Sequence, residues 1–138
     1  MKTNLFLFLF SMSVLGYSQS VPNKEALKYL DLATEKQFSK TLDLDSVIIC
    51  FNIADSISPN NALVLHERGL FKCNMGNYNE GIIDINKSIE LTTDDKKKEI
   101  RYCNRGLVHM ENKRLDLACK DWQFAGKKGK EYIVKYCK

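Results

Sequence analysis

The chain is 138 residues long, 44% hydrophobic and 28% charged, with 2 prolines and 7 glycines. That size and composition fit one globular domain able to support long helices, and they exclude a disordered or low-complexity polymer. A net charge of +4, densest at Lys127, Lys128, Lys130, Lys135 and Lys138, is too mild and too dispersed for a nucleic-acid-binding stripe and reads as solvated surface.

The first element is an export signal. Lys2 gives a positive start, Leu5 to Leu15 form an apolar run broken only by Ser11 and Ser13, and Gly16 and Ser18 are small residues at signal-peptidase spacing. Residues 1–18 are therefore expected to be a signal peptide, cleaved after Ser18, and residues 19–138 the mature domain. An uncleaved anchor helix is the alternative, although the run is short for a membrane span. The expected location is exported: periplasmic, extracellular or at the cell surface, with no membrane span after cleavage.

Export changes the meaning of the five cysteines, Cys50, Cys73, Cys103, Cys119 and Cys137. An oxidising compartment permits disulfides, and an odd count leaves at least one thiol without an intramolecular mate. No CxxC pair is present. Cys119 and Cys137 are the best disulfide candidates, because the intervening glycines let the chain fold back; two buried thiols are the alternative.

After Gln19 the apolar spacing is helical throughout. Pro22 and Asn23 open a helix carrying Ala26, Leu27, Leu30 and Ala33. A second runs from about Ser46 and stops before Pro59. A third covers Ala62 to about Asn74 and is broken at Gly76-Asn77. A fourth begins near Asn79, a fifth spans about Glu99 to Glu111, and a sixth spans Leu115 to Ala125, ended by Gly126 and Gly129. A short last helix holds Tyr132, Ile133 and Tyr136.

These helices repeat. Arg68-Gly69-Leu70 recurs 37 residues later as Arg105-Gly106-Leu107, and the same shift carries Gly81, Asp84 and Ile85 onto Ala118, Asp121 and Trp122. Val47, Phe51 and Ala54 precede Gly81, Ile85 and Ser88 by 34 residues. The three extra residues are expected to enlarge the turn at Thr92 to Lys98. Arg68 and Arg105 are expected to bridge to Asp84 and Asp121 within their own pairs. A single helix pair cannot bury its apolar face, whereas stacked pairs merge theirs into one core.

A helix-pair period near 34 residues resembles the tetratricopeptide repeat. Residues 62–93 and 99–130 look like two units, and residues 24–59 like a preceding one whose first helix lacks the internal glycine, with a divergent cap over Lys24 to Asp45 as the alternative. Leu65 and Tyr102, Gly69 and Gly106, Tyr78 and Leu115, Gly81 and Ala118, Ile85 and Trp122, and Ser88 and Ala125 fill the family's slots. Pro59 supplies the closing proline once. Lys72 and His109 stand where the family usually has an aromatic, and Gly81 replaces its usual alanine.

The resemblance implies an all-α superhelix of about three helix pairs, with residues 131–138 as a C-terminal capping helix. It also implies a non-enzymatic scaffold or adaptor that binds another protein or peptide, without cofactor or metal. The first helices would line its groove with Leu63, His66, Leu70, Cys73 and Asn74, then Ile100, Cys103, Leu107, Met110 and Glu111. The N-terminal segment folding over that groove is the competing reading. A carboxylate clasp built on Asn104 and Arg105 is disfavoured because the equivalent place in the previous unit holds Glu67, which would repel a carboxylate. The functional alternative is a small helical envelope enzyme or a metal- or thiol-dependent redox protein drawing on His66, Cys73, Cys103 and His109. Self-association through an open end of the stack is a third possibility.

Overall fold

The computed structural model describes residues 21–39 and 43–138, so the expected signal peptide lies outside the described residues. The described residues form seven helices and no strand. They are α1 (Lys24–Gln37), α2 (Leu44–Ile57), α3 (Ala62–Asn74), α4 (Tyr78–Leu91), α5 (Asp95–Glu111), α6 (Leu115–Trp122) and α7 (Gly126–Tyr136). The all-helical expectation holds.

Local chemistry sets the ends of most helices. Asn23, Asp43, Asn61 and Asp94 each turn a side-chain oxygen onto a free amide of the first turn of α1, α2, α3 and α5. Asn60, just after Pro59, takes φ 55°, and Gly76 takes φ 85° between α3 and α4. Both are left-handed conformations suited to those residue types.

Two boundaries differ from the sequence expectation. The extra residues near Thr92 do not enlarge the turn. Asp94 caps α5 through Lys97 N at 2.9 Å, so Asp95 to Lys98 join the helix and lengthen it by about one turn. At the other end α6 stops at Trp122, and Gly126 begins α7 rather than ending α6. Its φ of 59° and the Glu99 carboxylate lying against it both favour the missing side chain. Gly129 sits inside α7, where its bare backbone lets the helix close on Trp122 and Ala125. The capping helix therefore starts five residues before 131.

The helices pack chiefly as α1 with α2, α3 with α4 and α5 with α6, and α7 lies on α6. Four apolar clusters knit neighbours together, the smallest of them Ala26, Ala54 and Val64 of α1, α2 and α3. Leu30 and Ala33 of α1 meet Val47, Cys50 and Phe51 of α2, together with Phe71 of α3. Cys73 of α3 meets Ile85 and Ile89 of α4 and Val108 of α5. Ala118 and Trp122 of α6 pack with Ala125 against Tyr132, Ile133 and Tyr136 of α7. Phe51, Ile85 and Trp122 are fully buried, each contributing roughly 1.5–3 kcal/mol.

The repeated glycines lie at close helix crossings. A β-carbon on Gly69 would stand 2.8 Å from the carbonyl oxygen of Gly81 and 2.7 Å from Ile85 Cγ1. One on Gly106 would stand 2.6 Å from Trp122 Cδ1. Real atoms do not approach that closely, so these hairpins require glycine where the sequence repeats it.

Candidate binding site

The expected groove residues lie on α3 and α5, which also touch each other across the stack. Leu63 is partly buried against the Phe51 cluster, and Leu70 against the Ile85 cluster. Cys103, Leu107 and Met110 are partly buried against Trp122. Ile100 is 58% exposed, and Asn74 and Glu111 are exposed where α3 and α5 end. His66 and Cys73, by contrast, are buried. The half-exposed leucines, Cys103, Met110 and Ile100 thus form the accessible apolar part of the ten-residue set, with Asn74 and Glu111 exposed at its ends.

His66 is withdrawn because it serves the α3–α5 contact. Its Nε2 lies 3.0 Å from Asn104 Nδ2, and its Nδ1 has no hydrogen-bond partner. Burial, and then the nearby Arg101 charge, pull its pKa down to about 4. Arg101 is itself buried, and its Nε donates to Ser88 Oγ at 2.7 Å. Ser88 Oγ in turn donates to the Ala62 carbonyl at 2.7 Å. Glu67 completes this polar centre, its carboxyl raised by burial against the opposing pull of Arg101. Sequence reasoning missed Arg101. The available signal was its register: it stands 37 residues after Val64, a fully buried position.

The expected bridges are present and larger than expected. Arg68 donates through Nε and Nη2 to the two Asp84 oxygens at 2.8 and 3.0 Å, and through Nη1 to Asp55 at 2.9 Å and Asn52 at 3.2 Å. Arg105 does the same with Asp121, and its Nη1 donates to Asn86 at 2.7 Å. Asn52 and Asn86 are 34 residues apart and lie on the second helix of the preceding pair. Each arginine therefore ties its own hairpin shut and joins it to the hairpin before.

Lys72 and His109 join the same device. Lys72 Nζ lies 2.9 Å from Asp84, and His109 Nε2 lies 3.5 Å from Asp121. One helical turn after its arginine, each reaches the same carboxylate. His109 Nδ1 also meets the Tyr78 hydroxyl at 2.7 Å. Burial lowers the His109 pKa, and Asp121 opposes that shift. With Asn104 on His66 and Arg105 on Asp121, neither is free to clasp a ligand carboxylate.

Cys119 and Cys137 form a disulfide, with Cα atoms 5.9 Å apart, fastening the end of α7 to α6. Cys50, Cys73 and Cys103 are free thiols. Burial, then the Asp84 and Glu111 charges, push the Cys73 thiol up to about 11, and burial raises Cys103. Both shifts disfavour the thiolate that nucleophilic chemistry requires. Among the described residues no three His, Cys, Asp or Glu side chains converge as a metal site, and no helix is long and apolar enough to cross a membrane. No protein-family model, curated protein or solved structure matches the chain.

Proposed function

We propose that the chain is a tetratricopeptide-type scaffold that binds another protein or peptide along the α3–α5 face and performs no chemistry of its own. The observation that carries this reading is the repeated clasp. Arg68, Lys72 and Asp84 recur as Arg105, His109 and Asp121, together with Gly69 and Gly106 at the hairpin crossings. Interactions repeated at one period favour a stack of equivalent hairpins, and such stacks present extended surfaces to ligands.

The half-exposed apolar residues on the first helices supply the contact. Leu63, Leu70 and Leu107 offer shallow apolar ground, and Ile100 projects beyond it. An extended peptide or a partner's amphipathic helix fits that chemistry. The disulfide favours an oxidising compartment, in line with export to the periplasm or cell surface.

Site-specific photocrosslinking in cells tests the proposal. A photoreactive residue at Ile100 should yield one dominant adduct, whose partner is then purified and titrated. Ile100→Glu should abolish that binding while leaving helicity and melting unchanged. A purified partner that binds Ile100→Glu as well as the parent would refute this face as the site.

A further inference from the structure

The net charge of the protein is concentrated at one end of the stack. Residues 113–138 carry eight Lys or Arg against three Asp or Glu, whereas residues 1–112 carry thirteen against fourteen. One of those three acids, Asp121, is already held by Arg105. Helix α7 alone bears Lys127, Lys128, Lys130 and Lys135, with Lys138 just beyond its end.

These lysines sort by face. Lys128 pairs with Glu131 at 3.0 Å and lies over the Tyr132 ring, and Lys135 lies over the Tyr136 ring. Lys127, Lys130 and Lys138 are exposed and form no ion pair among the described residues. Helical spacing puts Lys127 and Lys130 along one outward stripe with Val134, which is 78% exposed, and Lys138 follows the end of the helix. Phe124, 60% exposed, stands in the turn just ahead of Lys127. The apolar side of α7 is turned inward on Trp122.

We infer that the outer face of α7 is a second docking surface, whose occupant is an acidic polypeptide segment carrying an apolar anchor. Charge complementarity selects an acidic partner, and Val134 within the lysine stripe gives a place for one apolar side chain. A bilayer is a poorer match, because α7 has no apolar face left to insert. Nucleic acid is a poorer match too, because Tyr132 and Tyr136 stack on Trp122 instead of offering open ring faces.

The test is fluorescence anisotropy with the disulfide-bonded protein and a short labelled peptide of Asp and Glu bearing one Phe. Binding should appear at low salt and weaken as salt is raised. Lys127→Gln, Lys130→Gln and Lys138→Gln together should weaken it at least roughly tenfold. Removing the same charge elsewhere, by Lys87→Gln, Lys96→Gln and Lys97→Gln together, should leave it within about twofold. Equal losses in the two triple variants, or no binding at low salt, overturns the inference. Tighter binding to phosphatidylglycerol vesicles or to a DNA duplex overturns it in favour of those ligands. Self-association of the parent that the α7 triple variant abolishes overturns it in favour of a second copy. Ile100→Glu should not alter peptide binding here, so this surface and the α3–α5 face are tested separately.

Discussion

Arg105 and Asp121 face each other edge to edge, Nε 2.8 Å from Oδ2 and Nη2 2.5 Å from Oδ1. Arg68 and Asp84 repeat the arrangement one hairpin earlier, with Lys72 added at 2.9 Å. The four bridging side chains are 7–20% exposed, so water screens them only weakly. Removing one member of such a pair strands the charge left behind, at a cost of roughly 3–5 kcal/mol when burial is complete.

The first pair should therefore respond asymmetrically. Asp84→Ala strands Lys72 and leaves Arg68 only Asp55 and Asn52, whereas Arg68→Ala leaves Asp84 with Lys72. We expect Asp84→Ala to be the more damaging by at least about 1 kcal/mol in urea unfolding at neutral pH. Equal losses would show that Lys72 contributes nothing to holding Asp84.

Gly106→Ala should destabilise, although alanine is favoured over glycine in a helix by about 1 kcal/mol. The added methyl would meet Trp122, which is fully buried and has no room to retreat. Overpacking costs about 1–3 kcal/mol, so a net loss of up to about 2 kcal/mol is expected from chemical denaturation. A gain in stability would mean that α5 and α6 do not cross as closely as described.

These glycines also show what was legible in the sequence. Helix identities followed from apolar period and punctuation, and the crossings followed from Gly69 and Gly106 repeating at one spacing. The arginine bridges were legible because each arginine and its aspartate recur together. Less legible were features that depend on where a chain end turns. Gly126 and Gly129 read as a helix stop. Gly126 instead supplies a positive φ at the start of α7, and Gly129 lets α7 close on Trp122. The groove list was too generous because helical register alone cannot distinguish an open face from an α3–α5 contact. His66 and Cys73 fell on the buried side of that distinction. Arg101 went unnoticed because a buried arginine at a core register becomes visible only once Ser88 is placed beneath it.

The disulfide closes a loop with a sequence separation of 18. In the chain-entropy picture a loop of that size stabilises by about 3 kcal/mol. Alkylation of the unfolded, unreduced protein should mark three cysteines, Cys50, Cys73 and Cys103, and reduction should raise the number to five. Cys119→Ser with Cys137→Ser should lower the urea midpoint and release α7 to hydrogen exchange before α3 and α4. Five alkylated cysteines without reductant would refute the bond.

Stability should fall as the medium is acidified from near neutrality, and His66 sets much of the slope. An exposed histidine titrates near pH 6.5, but burial beside Arg101 holds His66 at about 4 in the folded protein. The unfolded chain therefore binds this proton first. The contribution is fully present above about pH 6.5, is lost progressively as pH falls toward 4, and amounts to something on the order of 3 kcal/mol. His109, also lowered by burial, adds in the same direction. Urea unfolding at a series of pH values checks this, with His66→Gln as the comparison. Glutamine cannot take the proton, so the variant should lose less stability between pH 7 and pH 4 than the parent, even if it starts lower. Parallel pH profiles would place the acid-sensitive group elsewhere, and the half-buried carboxyl of Glu67 cannot take that place. Its raised pKa means that the folded state welcomes a proton there, so acidification through its range stabilises the fold and opposes the trend set by His66.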